Sequence, residues 1–388
     1  MTEVAPPVEL LARLAALRAA LAESSLPLAD ADAAAARHER DALIAQLDDY
    51  IVPRLKQLEA PLLAVVGGST GAGKSTLVNS LLGQPVSKTG VLRPTTRSAV
   101  LVHNPDDARW FGTDRLLPDL ARTDRATGDP AALQLLPLEA LPAGLALLDA
   151  PDVDSVEKHN RVLAAQLLSA ADLWLFVTSA ARYADQVPWD YLKAAAARST
   201  AVAVVLDRTQ PVAVQEVGAH LAQMMMSRGL GDALLFSVPE SPLSPEGLLP
   251  SPAVQPIRDW LHGLAADAEA RAAVIRQTLD GAVAALPDRA TVVEDALRTQ
   301  EETAARLRFG LEAAYAEELA LVAEATADGT LLRGEVLARW QEFVGTGELL
   351  RAWRPRSGGC ATGCSRQCAG SRWPPRTSRT PSSPGCRA

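Results

Sequence analysis

Residues 68–75 read Gly-Ser-Thr-Gly-Ala-Gly-Lys-Ser and fit the phosphate-loop spacing G-x-x-x-x-G-K-[ST]. Glycine at Gly68, Gly71 and Gly73 frees the backbone. N–H groups of Ser69, Thr70, Ala72 and their neighbours as far as Thr76 can then close around a phosphate. Lys74 reaches the β- and γ-phosphates, and the Ser75 hydroxyl is placed for Mg²⁺. The flanks have the form this chemistry needs: an apolar run over 61–66 precedes the loop and a helix-compatible run over 76–82 follows it. Such a chain binds a nucleoside triphosphate or descends from one that did.

Turning over a triphosphate also takes a residue that senses the γ-phosphate and metal, a carboxylate at a strand end near Mg²⁺, and a loop that reads the base. Arg93-Pro-Thr-Thr-Arg-Ser98 lies directly before an apolar strand. Thr96, with Thr95 as second choice, supplies a hydroxyl to complete the Mg²⁺ shell there. Residues 145–149 form an apolar run ending in Asp149, whose carboxylate suits a metal-bound water. Lys74, Thr96 and Asp149 are thus the catalytic candidates, and Ser75, Thr96 and Asp149 the metal candidates. Asp152 follows three residues on, and an anion beside a phosphate is unfavourable unless turned away. A later apolar run, 200–206, leads into Asp207-Arg208-Thr209-Gln210. Asp207 and Arg208 are the base-side candidates, Arg208 by stacking; Phe236-Ser237, at the next strand end, offers a further base contact.

These positions need rigid supports. Short apolar runs at 61–67, 98–103, 144–149, 172–178, 200–206 and 233–238 read as buried parallel strands. The segments 74–83, 156–170, 188–198 and 212–228 read as helices between them. Alternation of this kind predicts an α/β fold with a doubly wound, mostly parallel sheet over 61–250. Helical periodicity brackets it: 8–24 and 40–58 on the N-terminal side, with Pro53 kinking or restarting the second. On the other side come 256–286, a long helix from 287 to 326, and 330–345. Val293, Leu297, Ala304, Leu307, Leu311, Tyr315, Leu319 and Val322 keep three–four spacing, interrupted once by Gln300, as in a packed or coiled-coil helix. The expected organisation is an N-terminal helical segment (1–60), a nucleotide domain (61–250) and a stalk-like helical segment (251–353). The two helical segments join as an arm, since a lone apolar stripe must be buried somewhere.

The order of these motifs resembles the dynamin-like GTPases, and more narrowly the bacterial dynamin-like or Era-related large GTPases of high-GC bacteria. The resemblance rests on Gly68–Ser75, Arg93-Pro-Thr-Thr96, Asp149-Ala-Pro-Asp152 and the strand ending at Asp207, and covers roughly 60–350. It implies GTP and GDP as ligands with Mg²⁺, GTP hydrolysis, assembly with a second copy or a paralogous GTPase, and action at membranes. Several positions depart from the family pattern. Asp152 stands where the family has a glycine, and Gln210 where it has a carboxylate that pairs with guanine; a glutamine offers only one carbonyl. Thr70-Gly71 replaces Gln-Ser of eukaryotic dynamins. Three other readings compete: a nucleotide-binding scaffold with little hydrolysis, a P-loop kinase, and an ATPase. An ATP-driven transporter subunit lacks support, since no Leu-Ser-Gly-Gly follows.

Composition sets the remaining bounds. The chain has 388 residues and a formal net charge of −8, which argues against a general nucleic-acid surface. No apolar run approaches a membrane span, and the acidic N-terminus is not a secretory signal. A cytoplasmic protein is the expectation, with peripheral contact at the inner membrane face left open. The last 35 residues break the pattern: all four cysteines, seven Arg, and no Asp, Glu, Leu, Val, Ile or Phe. A Cys360-x-x-x-Cys364-x-x-x-Cys368 metal site is one reading. Out-of-frame translation of a GC-rich gene is the preferred one, since this composition cannot bury a core.

Overall fold

The computed structural model describes residues 8–87 and 98–345, apart from 114, 128, 130, 156, 198–199 and 328. It divides into two units, one ending at Arg306 and the other beginning at Leu307.

Eight strands form one sheet: β1 Leu62–Gly68, β2 Ala99–His103, β3 Ala121–Thr123, β4 Ala132–Pro137, β5 Leu145–Asp149, β6 Leu173–Ser179, β7 Ala201–Thr209 and β8 Leu234–Pro239. Their order is β3-β4-β2-β5-β1-β6-β7-β8. β5, β1, β6, β7 and β8 run parallel, as the apolar runs predict. The run at 98–103 does not: β2 pairs with β5 antiparallel, and β4 and β3 continue in β2's direction. β3 and β4 escape the sequence pattern for different reasons: β4, though six residues long, is only half-buried over its second half and carries Gln134 and Pro137. β3 is three residues long, and the Arg122 at its centre donates to the carbonyls of Phe111, Gly112, Leu116, Leu117 and Leu120. That tertiary wrapping, rather than β-propensity, holds the edge.

Alternate residues of the central strands serve opposite faces. Leu63, Val65, Trp174, Phe176, Val204 and Leu206 pack with α5 (Lys158–Ser169), α6 (Gln186–Ala197) and α7 (Val214–Ser227). Leu62, Ala64, Val66, Leu175, Val177 and Val205 pack with α4 (Lys74–Leu82), α8 (Ser251–Ala266) and α9 (Ala268–Ala284). Both faces are buried, which is why the strands carry no polar alternation. The helix expected over 256–286 is two: the extended Asp267 caps α9 by accepting from the amides of Glu269 and Ala270, so the chain turns there.

The N-terminal helices are α1 (Val8–Glu23), α2 (Ala33–Gln46) and α3 (Val52–Lys56). A π-helical turn at Leu47–Ile51 links α2 to α3, and Pro53 sits in the first turn of α3, directly after that irregular turn. Leu14, Leu21, Leu43, Leu47 and Ile51 share a core with Leu279, Leu286 and Val293 of α9 and α10 (Leu286–Ala327). The two flanking segments therefore meet in this part. Gln300, rather than interrupting the stripe, is buried: it accepts from the Leu28 amide and donates to the Leu28 carbonyl and Asp30.

A second junction ties these helices to the sheet. Arg54 and Asp172, both fully buried, form an ion pair. Asp172 also accepts from Tyr50 Oη (3.1 Å) and the Leu63 amide (2.8 Å), while Arg54 donates to the Ala60 and Pro61 carbonyls.

The second unit holds the rest of α10 and α11 (Thr330–Gly345). Here the predicted packed stripe is not covered: Leu307, Leu311, Tyr315, Leu319 and Val322 are exposed, as are Val336, Leu337 and Trp340. Among the described residues no helix is long and apolar enough to cross a membrane.

Candidate nucleotide-binding site

The sheet delivers three strand ends to one place. β1 ends at Gly68 and α4 begins at Lys74, so residues 69–73 form the connecting loop. Two glycines there are obligatory. Gly68 has φ +141, and a Cβ would lie 1.9 Å from the Val177 carbonyl oxygen of β6; Gly73 has φ +102, and a Cβ would lie 2.1 Å from Asp207 Oδ2. The second close approach brings the β7 end, with Asp207 and Arg208, against the start of α4.

Lys74 is buried with its ammonium against the Gly68 carbonyl (3.0 Å), the Ser69 carbonyl (2.9 Å) and the Asp152 carboxylate. Ser75 Oγ donates to Asp149 Oδ2 at 2.7 Å. Asp149 is fully buried, and burial pushes its carboxyl above the ordinary value, opposed by the Ser75 and Ser87 hydroxyls and by Lys74. Its second oxygen, Oδ1, is buried and accepts no hydrogen bond. An orphaned carboxylate oxygen beside a serine hydroxyl fits a hydrated Mg²⁺, so the residues suit the cation that the motif implies. Thr76 lies half-buried in the first turn of α4.

Asp207 is buried and pushed up to about 6, chiefly by desolvation. Its Oδ1 accepts from the Arg208 amide (2.7 Å), which helps hold Arg208 at φ +53. Arg208, Thr70, Gly71, Ser179 and Arg182 line a cavity of about 210 Å³. Gln210 is exposed.

Of the remaining predicted members, one lies outside the described residues and one does not join this group. Thr96, with Thr95 and the rest of 88–97, lies outside the described residues. Phe236 is not at a strand end: β8 continues to Pro239, and Phe236 packs on Trp260 with ring centroids 5.4 Å apart. Its register places it on the core face.

The sequence reading also missed two residues. Asp154 accepts from the Thr70 amide and hydroxyl, both at 2.6 Å, and from Arg182 Nη1 at 2.6 Å. Neither belongs to a spaced motif; the only cue was the doubled acid Asp152-Val-Asp154 after the metal-side aspartate.

Residues 63–208 match the family model described as 50S ribosome-binding GTPase. This segment is a P-loop GTPase domain. Among solved structures, two of an oligomerised bacterial dynamin pair, described as sensing and tethering membranes, are similar to the chain. They are 13% and 14% identical, with TM-scores of 0.40 and 0.38, and cover 80% and 88% of this chain. The chain spans 54% and 65% of their lengths. Era of Aquifex aeolicus, bound to GDP·AlF₄⁻, is 20% identical with a TM-score of 0.33, over 53% of this chain and 56% of its own. No curated protein sequence gives a significant match. Within the GTPase domain the loop, Lys74, Ser75, Asp149 and the Asp207–Arg208 end of β7 all lie inside or at the edge of the matched segment.

Proposed function

We propose that the chain binds GTP with Mg²⁺, hydrolyses it to GDP and phosphate, and passes its nucleotide state to the flanking helices, in the manner of a dynamin-like GTPase. The observation that carries this reading is the convergence of Lys74, Ser75 and Asp149 at the end of β1 and β5, inside a segment of GTPase type. Lys74 supplies a buried cation for the β- and γ-phosphates. Ser75 and the free oxygen of Asp149 hold the cation and its water, with Thr96 as the proposed third hydroxyl. Arg208 and Asp207 form the base side. Bound Mg²⁺ neutralises charge on the phosphates during transfer.

The coupling route runs through α5, which begins right after the loop carrying Asp152 and Asp154. Gln166 on α5 donates to Asp49 in the π-helical turn (3.0 Å), and that turn packs in the core shared with α9 and α10. A loop that changes with the γ-phosphate therefore pulls on a helix already fastened to the arm. The domain layout proposed with this reading is 1–60, 61–250 and 251–353. The exposed apolar side chains between Leu307 and Trp340 support self-association. A cytoplasmic protein with peripheral membrane contact completes the reading.

A second reading, a nucleotide-binding scaffold with little hydrolysis, is favoured by Asp152 on Lys74 and by Gln210 at the base loop. Phosphate release on mixing with GTP or ATP, alongside binding by Lys74→Ala, separates these. Loss of the ammonium removes a charge-assisted contact worth about 1.5–3 kcal/mol, or roughly 10- to 100-fold in affinity. GTP binding by Lys74→Ala as tight as the parent's refutes the assignment; preferred ATP turnover moves the protein to the ATPase or kinase class.

A further inference from the structure

Lys74 has three N–H donors, and all three are used: two on the carbonyls of Gly68 and Ser69, the third on the Asp152 carboxylate. The two carbonyls belong to the phosphate loop itself and stay with it. Asp152 belongs to the following loop and is the one partner that can leave. Its side chain is partly exposed while Lys74 is buried, so the pair sits at the mouth of the cradle, with the carboxylate on the solvent side.

The loop around Asp152 is fastened in the same position by its neighbours. Val153 is fully buried and its amide donates to the Gly68 carbonyl at 3.3 Å. Asp154 bridges Thr70 of the phosphate loop and Arg182 beyond β6. Two carboxylates of one loop thus engage the phosphate loop, one on its ammonium and one on its apex. A phosphate group brought to Lys74 meets an anion already there, and two anions do not share one ammonium in a poorly solvated site.

We propose that Asp152 is a built-in substitute for the γ-phosphate. With no γ-phosphate bound, its carboxylate neutralises Lys74 and holds the 152–155 loop shut on the phosphate loop. A γ-phosphate reaches Lys74 only as Asp152 leaves, and Asp152 returns once phosphate has gone. The inference rests on the GTP-binding reading above and adds what that reading lacks, a device that ties loop position to the third phosphate. It also gives the α5 route an origin, because displacing Asp152 moves the segment that enters α5.

The test compares GTP and GDP affinities of the parent and Asp152→Asn, using fluorescent analogues of each, with hydrogen exchange of the nucleotide-free proteins as a second readout. Asparagine keeps the shape and removes the charge. GTP affinity should rise roughly 10- to 100-fold, the range for a charge-assisted contact no longer displaced. GDP affinity should rise clearly less than GTP affinity, since Lys74 also reaches the β-phosphate, and the Val153 amide should exchange faster in the variant. An unchanged GTP affinity overturns the proposal, as does an equal gain for both nucleotides, which would put Asp152 at the β-phosphate instead. Parent protein that binds neither nucleotide overturns the GTPase reading itself, and with it this one.

Discussion

Replacing Asp172 by Asn isolates what fastens the N-terminal helices to the nucleotide domain. Arg54 and Asp172 have side-chain exposures of 1% and 0%, so the pair has essentially no solvent to fall back on. Asparagine can still accept from Tyr50 or from the Leu63 amide, but the Arg54 guanidinium loses its only counter-charge among the described residues. Breaking one side of a buried pair costs about 3–5 kcal/mol, because the surviving charge is left uncompensated. At about 2–4 °C per kcal/mol for a domain of this size class, the thermal midpoint should fall by roughly 6–20 °C. GTP affinity at low temperature should not change, since Asp172 precedes β6 and the phosphate loop lies near its far end, about 20 Å away at ~3.3 Å per residue. Arg54→Met with Asp172→Leu removes both charges and should recover most of the loss. Circular dichroism melts of Asp172→Asn, Arg54→Met and the double variant beside nucleotide titrations decide the matter. A single variant within about 1 kcal/mol of the parent, the surface-pair range, would refute the reasoning; so would a double variant as damaged as the sum of its parts. Residues 61–250 alone should not fold stably, because that cut removes α8 and α9, which cover one face of the sheet, along with Arg54 and Tyr50.

Other outcomes follow from particular contacts. Asp49 is buried, with one oxygen unpartnered, and is pushed up to about 6 by desolvation. Its folded value lies above the unfolded one, so between about pH 4 and 6 the native state binds the extra proton and stability falls as pH rises. Asp49→Asn should therefore stabilise the protein at pH 7.5, by up to about 3 kcal/mol at 1.36 kcal/mol per unit, with the gain gone below pH 4; a gain that persists in acid contradicts the desolvation cause. Gly73→Ala combines a disallowed φ with a clash on Asp207 and should lose nucleotide binding, and adding Asp207→Ala should restore only part of it, since strain of about 1–3 kcal/mol remains. Competition binding should give guanine over adenine, with a smaller margin than an intact carboxylate at position 210 provides. Asp152→Gly should hydrolyse GTP faster than the parent; slower turnover would make the acid a working part of the site.

The parts legible in the sequence are those that local spacing determines. Gly68, Gly73, Lys74 and Ser75 are fixed by the geometry of a loop that must wrap an anion, and β1, β5, β6 and β7 by apolar runs that only a sheet covered on both faces can bury. Where spacing stops carrying information, the reading stops too. Nothing local marks β2 as antiparallel, because a strand buried on both faces looks the same in either direction. β3 exists because Arg122 gathers five carbonyls around it, and Asp267 breaks a helix that periodicity alone would run straight through. Polar residues inside apolar stripes are harder still. Gln300 reads as an interruption until its partners, the Leu28 peptide and Asp30, are seen to be 270 or more residues away. Asp152 is the sharpest instance. In the sequence it is only an acid where a glycine is expected, and the inference available there is repulsion from a phosphate. In the structure the same charge has a partner, Lys74, and repulsion becomes competition: the acid and the phosphate contend for one ammonium. That changes the sign of what the residue does to the unliganded protein, from a defect in the site to the contact that keeps it closed, and it makes the loop between β5 and α5 the element whose position reports the nucleotide.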